Sequence, residues 1–130
     1  MGDGAVGNRA ITMLYVDDVG ASRDFYRDIV GLELTLDAGG YCEFAWGNLV
    51  LGLRARANAR SQYGEVVAPA GAGASHQVTV EVSNVDALVA RLAAAGVVAL
   101  QPPTTQSWGM RSASFRDPDG HVWEVGAPAG

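Results

Sequence analysis

Alternating hydrophobic and polar positions, interrupted by helical spacings, follow each other twice along this chain. Residues 10–53 and residues 76–125 each run in the order strand, helix, paired strands. The segment QVTVEV, which begins at Gln77, alternates strictly, so its valines share one strand face and its polar side chains share the other. Such a duplication predicts two half-units that bury apolar faces together and leave a concave pocket between them.

Each repeat contains one predicted helix. Apolar residues at positions 85, 88, 89 and 92 recur at helical spacing, between Asn84 as the N-cap and Gly96 as the stop. The first repeat has the same arrangement, with Asp18 near the cap and Gly31 at the end. Both helices are therefore predicted to cover one face of a sheet.

Each repeat ends in a predicted hairpin. The first spans residues 41–53 around the two-residue turn signal Gly47-Asn48. The second spans residues 111–125 around Asp117-Pro118-Asp119-Gly120, in which proline presets one turn dihedral and glycine tolerates positive φ.

These elements predict a single α+β domain made of two modules. Module one covers residues 9–56, module two covers residues 76–126, and residues 57–75 connect them. The stretch from position 54 to position 75 is rich in Ala, Gly and Arg and has little periodicity, which indicates a mobile connector. It is either a solvated linker or a segment that folds over a ligand.

Composition and charge exclude several classes of function. A net charge of -5, with arginine as the only basic residue type, argues against a nucleic-acid partner. No apolar run approaches the roughly 20 residues of a membrane-spanning helix, and residues 1–8 do not have the pattern of a secretory signal. Because Cys42 is the only cysteine, no internal disulfide can form. We predict a cytoplasmic protein in which Cys42 is a buried small hydrophobe rather than a reactive thiol.

The chain resembles the vicinal oxygen chelate superfamily in two segments, Val16-Asp-Asp-Val-Gly-Ala-Ser-Arg-Asp-Phe-Tyr26 with Gly31-Leu32, and Phe115-Arg-Asp-Pro-Asp-Gly-His-Val-Trp-Glu124. This superfamily contains glyoxalase I, extradiol dioxygenases, fosfomycin-resistance enzymes, and bleomycin-resistance and mitomycin-binding proteins. The resemblance implies two tandem βαβββ modules that form an open, barrel-like cleft, and a homodimer. It leaves open whether modules pair within one chain or exchange between chains.

The resemblance also implies four positions for a metal ion. Metal-dependent members hold a divalent ion with side chains of the first and last strands of each module, which correspond here to Ile11, Gln77, Leu51 and Glu124. Only Gln77 and Glu124 carry donor atoms, whereas a divalent cation takes three or more oxygen or nitrogen donors. We therefore predict neither a metal nor another cofactor.

Two histidines bear on this prediction. A shift of one residue in strand register would pair His76 with Glu124, and a residual metal site using His76, Gln77 and Glu124 is the alternative left open. Strand alternation instead points His76 away from Gln77, which favours a structural role, and His121 is predicted to lie in a turn. No catalytic residue is predicted, because Cys42 lies on a strand with no assignable base.

The remaining residues of the predicted cleft suit a small molecule, with apolar and aromatic walls and few polar groups. The predicted ligand-binding residues are Met13, Tyr15, Trp46, Leu51, Gln77, Glu81, Trp108, Met110 and Glu124. Trp46 and Trp108 would stack on a planar ligand, and packing at a dimer interface is the alternative. Leu51 is equally compatible with a barrel core. Glu81 and Glu124 would attract a cation or transfer a proton.

We therefore predict a metal-free, homodimeric binding protein that sequesters an aromatic or cationic natural product, of planar or glycopeptide type, in antibiotic resistance or self-protection. One alternative is a metal-dependent lyase, isomerase or dioxygenase of the glyoxalase type, whose ligands are then misaligned. A cofactor-free epimerase and a regulatory partner protein are the others. Metal content and small-molecule thermal shifts distinguish these classes.

Overall fold

The computed structural model describes residues 9–130. Residues 1–8, for which no secretory signal was predicted, lie outside this range. The chain divides into two compact units. The first contains residues up to Arg27 together with Gly31–Val67, and the second contains Asp28–Val30 together with Ala68–Gly130.

The first unit is a four-stranded sheet with its first helix on one face. Its elements are β1 (Ile11–Val16), α1 (Val19–Asp24) with a π-helical continuation (Phe25–Val30), β2 (Glu33–Asp37), β3 (Tyr41–Trp46), β4 (Leu49–Ala55) and α2 (Arg56–Tyr63). The strand order is β1-β4-β3-β2. Strand β1 runs parallel to β4, and the other pairs are antiparallel.

The second unit repeats this topology. Its elements are β5 (Gln77–Glu81), α3 (Val85–Ala94), β6 (Gln101–Thr105), β7 (Met110–Arg116) and β8 (Val122–Pro128). The strand order is β5-β8-β7-β6, with β5 parallel to β8 and the other pairs antiparallel. Two βαβββ units, each with an open four-stranded sheet, confirm the predicted fold class.

The residues predicted to cap the helices, to end the first helix and to form the hairpin turns do so. The side-chain oxygens of Asp18 and Asn84 accept hydrogen bonds from backbone N–H groups three residues ahead, at 3.0 and 2.9 Å, and so cap α1 and α3. Gly31 ends the first helix at φ 91°, where glycine avoids the steric penalty of a side chain. Both predicted hairpins form.

The helix-bearing face of each sheet forms its core. In the first unit the fully buried side chains on this face include Leu14, Val16, Cys42, Phe44, Leu51 and Leu53. Tyr26 packs on Phe44 with ring centroids 6.0 Å apart. In the second unit Phe115 and Trp123 stack in parallel at 6.4 Å. Trp123 is fully buried.

Two segments differ from the prediction. Positions 54–75, for which no helix was predicted, contain α2, which packs on β1 and β4 and buries Ala59 completely. Strand β6 forms in the sequence Gln-Pro-Pro-Thr-Thr, which was not predicted as a strand. It lies at the edge of its sheet, where the lack of proline N–H groups is tolerated.

In the part of the chain that the structure describes, no helix is long and apolar enough to cross a membrane.

Candidate functional site

Each sheet has a second face, opposite its helices, which we call the open face. Side chains of residues paired across neighbouring strands point to the same face, so the registers define its members. In the second sheet the open face carries the following side chains: Gln77, Thr79, Glu81, Gln101, Thr104, Met110, Ser112, Ser114, Arg116, Val122 and Glu124. This face is mainly polar.

A chain of hydrogen bonds crosses this polar face. The Gln77 amide donates to the Thr79 hydroxyl at 3.1 Å, and that hydroxyl donates to the Glu124 carboxylate at 3.2 Å. Thr79 and Glu124 are direct partners on the parallel strands β5 and β8. The threonine therefore connects the two predicted polar positions and holds one oxygen of Glu124, while the other oxygen stays available for a ligand.

A concavity of about 120 Å³ lies next to this chain of hydrogen bonds. Its lining includes Thr79, Glu81, Trp108, Met110, Ser112 and Glu124. Trp108 stands at its rim with 70% of its surface exposed. The ring is carried by a tight turn, in which the N–H of Gly109 donates to the carbonyl of Gln106 at 3.1 Å. The structure thus brings together four predicted residues, Glu81, Trp108, Met110 and Glu124, and connects Gln77 to them through Thr79.

The open face of the first sheet is more apolar. Met13 and Ile11 are each 38% exposed on β1, and Tyr15 follows on the same face. Met13 lies beside Gly52 of β4, and a Cβ atom at Gly52 would meet the Met13 sulfur at 2.7 Å. Met13 and Tyr15 therefore occupy an open face, as predicted, and their role in ligand binding stays a prediction.

Two predicted ligand residues lie on the helix-bearing face rather than the open face. Leu51 pairs with Thr12 of β1 and Phe44 of β3 on the helix-bearing face, and its side chain is fully buried. Leu49 and Leu53, which have the same parity, share that face. Trp46 pairs with Leu49 and also belongs to it. The placement of Leu51 on the open face is wrong, because β4 is one residue out of the assumed register. Trp46 lies at the end of β3 and is half-buried, and its role in ligand binding stays a prediction.

The corrected register also changes which residue of β4 occupies the metal-ligand position that the resemblance implies. In the second sheet Glu124 pairs with Thr79, two residues after Gln77. In the first sheet the residue that pairs with Met13, two residues after Ile11, is Gly52 rather than Leu51. Neither Ile11 nor Gly52 has a side-chain donor. These two positions of the first unit therefore do not fit the metal that the resemblance implies, and Gln77 and Glu124 supply only two donors.

His76 does not complete this donor set. It lies just before β5, is exposed, and has its ring Nδ1 3.5 Å from the Ser75 hydroxyl. Among the described residues no group of three or more His, Cys, Asp or Glu side chains is placed to hold a metal ion. His121 lies in the β7–β8 turn, as predicted, with its N–H donating to Asp117.

Sequence reasoning missed a charged cluster on the open face of the first sheet. Glu43 of β3 is only 8% exposed. Its carboxylate accepts a hydrogen bond of 2.6 Å from the Tyr41 hydroxyl and forms an ion pair with Arg9. Burial and the neighbouring Glu43 carboxylate raise the pKa of Tyr41 to about 12. The alternation Tyr41, Glu43, Ala45 in β3 was the available signal, because it places a carboxylate between less polar residues on one face.

Comparison with known proteins agrees with this architecture. Residues 10–125 match the model of the Glyoxalase/Bleomycin resistance protein/Dioxygenase superfamily. A glyoxalase/bleomycin resistance protein/dioxygenase from Nocardioides is similar in structure, with a TM-score of 0.74 and 29% identity over 95% of this chain and 86% of that chain.

Two further solved structures are similar over nearly their whole length. TnmS3, an antibiotic binding protein from Streptomyces sp. CB03234, has a TM-score of 0.74 and 28% identity over 95% of this chain and 98% of its own. TioX from Micromonospora sp. ML1 has a TM-score of 0.73 and 27% identity over 94% and 99%. No curated protein matches the sequence. The repeated βαβββ topology and the match over residues 10–125 confirm the resemblance inferred from sequence, and the chain belongs to the Glyoxalase/Bleomycin resistance protein/Dioxygenase superfamily.

Proposed function

We propose that this protein is a cytoplasmic, metal-free small-molecule binding protein that sequesters an aromatic, cationic natural product. The observation that carries the proposal is the concavity lined by Trp108, Met110, Glu81 and Glu124. An exposed indole at its rim offers a stacking surface, and two carboxylates below it favour a positive charge. At about 120 Å³ the concavity accepts one ring or one charged arm of a larger ligand.

The chemistry of the residues supports binding rather than catalysis. Thr79 and Glu124 are joined by a hydrogen bond of 3.2 Å, in which the half-buried carboxylate accepts from an exposed secondary hydroxyl, and this pair does not form the nucleophile and general base of a covalent mechanism. Cys42 lies on the helix-bearing face and is fully buried. Burial raises the pKa of its thiol above the ordinary value, which disfavours the reactive thiolate. An acidic site with an aromatic rim instead selects ligands by charge and shape.

The similarity to TnmS3, described as an antibiotic binding protein, supports the class of ligand. We further propose that the protein works as a homodimer. The open face of the first sheet exposes Ile11 and Met13, each at 38% of its surface. A second copy would bury such apolar side chains.

Replacement of Trp108 by alanine tests the proposal. The probes are proflavine, a planar aromatic cation, and metal-free bleomycin, a glycopeptide with a cationic tail, each titrated by isothermal calorimetry. Loss of a stacked ring removes about 0.5–1.5 kcal/mol plus the burial of the indole, so we expect affinity to fall tenfold or more. The matched control is Tyr63→Ala, which removes a half-exposed aromatic from α2 and should leave affinity unchanged.

Three results would contradict the proposal. Unchanged affinity of Trp108→Ala would show that the ring is not a binding surface. Binding of neither probe to the wild type, with no thermal shift from a wider set of aromatic cations, would argue against sequestration. Stoichiometric Fe, Ni, Zn or Mn in protein purified without chelator would favour an enzyme instead.

A further inference from the structure

We propose that the open face of the first sheet carries a separate recognition site for one guanidinium or amidinium group, and that the chain's own Arg9 occupies this site. The site is centred on the carboxylate of Glu43. It goes beyond the function proposed above, because it lies on the other sheet and shares no residue with the concavity around Trp108.

The position of Glu43 calls for a partner of opposite charge. Its side chain is only 10% exposed, although it lies on the open face of β3. A buried carboxylate is stable only when its charge is compensated and its oxygens are hydrogen-bonded. Oε2 accepts the hydrogen bond of 2.6 Å from Tyr41, whereas Oε1 is held by Arg9.

The two partners of Glu43 differ in how firmly they are built into the fold. Tyr41 lies two residues away on the same strand, where sheet pairing fixes it. Arg9 precedes β1, outside regular secondary structure, and 54% of its side chain is exposed. The Tyr41 contact therefore belongs to the sheet, while the Arg9 guanidinium reaches the carboxylate from the solvent side and is exchangeable.

The hydroxyl of Tyr41 keeps one oxygen of Glu43 free for a cation. Its pKa of about 12 means that it remains a hydrogen-bond donor throughout the physiological pH range. Gly52, directly across from Glu43 on β4, gives this hydroxyl its space, because a Cβ atom there would lie 3.0 Å from the Tyr41 oxygen. Oε2 is thus always used internally, and Oε1 is the oxygen that recognises the incoming group.

The surroundings of Glu43 fit a cation with an apolar body. An open concavity of about 440 Å³ is lined by Arg9, Thr35, Leu36, Glu43, Phe44, Ala45 and Val50. The Thr35 hydroxyl donates to the Glu43 carbonyl at 3.1 Å and is satisfied within the sheet. Apart from Arg9, Thr35 and Glu43 itself the lining side chains are apolar, so an aryl amidinium can place its charge on Glu43 and its ring against Leu36 and Val50.

Benzamidinium is the probe, and uncharged benzamide is its matched control. Binding to the full chain is followed by the backbone amide signals of Ala45 and Val50 in NMR titrations. The variants are Arg9→Ala, which empties the site, and Glu43→Gln in the same background, which removes the charge. Arg27→Ala is the control for loss of one surface arginine, because Arg27 pairs with Asp24 on the first helix.

We expect Arg9→Ala to bind benzamidinium at least about tenfold more tightly than the wild type. When the Arg9 side chain occupies the site about nine-tenths of the time, only about one-tenth of the sites are open to a competing ligand, and its apparent affinity falls about tenfold. Arg27→Ala should match the wild type. Glu43→Gln combined with Arg9→Ala should return affinity for benzamidinium to the weak level of benzamide.

Equal affinity of Arg9→Ala and wild type, or equal binding of benzamide and benzamidinium, would overturn the proposal. If Arg9→Ala does not fold, the Arg9 side-chain Nε–H signal of the wild type gives the answer instead. Saturating benzamidinium should move that signal to the position of a free arginine, and an unmoved signal would refute displacement. Trp108→Ala should retain the benzamidinium response, so this proposal and the proposed function can fail separately.

Discussion

Replacement of Asp117 by alanine should strongly destabilise the second unit. This residue opens the turn between β7 and β8 and is only 5% exposed. Its Oδ1 accepts hydrogen bonds from the N–H groups of Asp119 at 3.0 Å and His121 at 2.8 Å. The same turn fixes the register of β8, and a slip of one residue would move Glu124 from the open face to the helix-bearing face.

The size of the effect follows from these two hydrogen bonds. A bond to a charged acceptor contributes about 1.5–3 kcal/mol, so two give roughly 3–6 kcal/mol. Asp119 and His121 are half-buried, and water can replace part of this interaction. We therefore expect Asp117→Ala to lower the free energy of unfolding by about 2–4 kcal/mol. Asp117→Asn keeps a neutral oxygen acceptor and should lose about half as much.

Urea denaturation, monitored by circular dichroism, measures the loss of unfolding free energy in the alanine and asparagine variants, provided that the slope of the transition is unchanged. The reasoning is refuted if Asp117→Ala loses less than about 0.5 kcal/mol, or if the alanine and asparagine variants lose the same amount. In the first case the turn would be set by Pro118 and Gly120 alone. In the second case the acceptor oxygen would contribute nothing.

Two further predictions concern pH. Arg111 holds Asp86 with bonds of 2.7 and 2.8 Å and lowers the pKa of that carboxyl. The pair therefore stabilises the fold above the unfolded pKa of about 3.9 and loses its effect as the pH falls below it. Arg111→Met should lower Tm at about pH 6 and not at about pH 2, and an equal loss at both would contradict this. For Tyr41, stopped-flow alkaline titration should show a tyrosinate absorbance step near pH 12 that Tyr41→Phe removes; a step retained in the variant would belong to another tyrosine.

The sequence predicted the fold where local signals and tertiary packing agree. Capping at Asp18 and Asn84, and the turn residues of both hairpins, act within a few residues of their own position. Helix α2 escaped prediction because its buried contact is Ala59, a side chain too small to reveal a helical period. Its other anchor is Arg54, which donates to Asn58 at 2.8 Å and to Gln62 at 2.5 Å.

The site was predictable only where one face of a strand is polar. Strand β5 alternates valine with Gln77, Thr79 and Glu81, so its open face could be assigned from sequence. Strand β4 reads Leu-Val-Leu-Gly-Leu and has no such alternation, so only pairing reveals that Leu51 faces the helices. Arg9 and Glu43 are 34 residues apart in sequence, so no local sequence pattern predicts that they form an ion pair.

The two open faces therefore have different chemistry on the same topology. At equivalent places the second sheet has Gln77 and Glu124, which donate or accept hydrogen bonds, while the first has Ile11 and Gly52, which do neither. Because Gly52 has no side chain, the Tyr41 hydroxyl has room to donate its hydrogen bond to Glu43, two residues along the same strand. Gly52 therefore supplies no donor atom of its own to the open face and leaves room for the hydrogen bond between Tyr41 and Glu43.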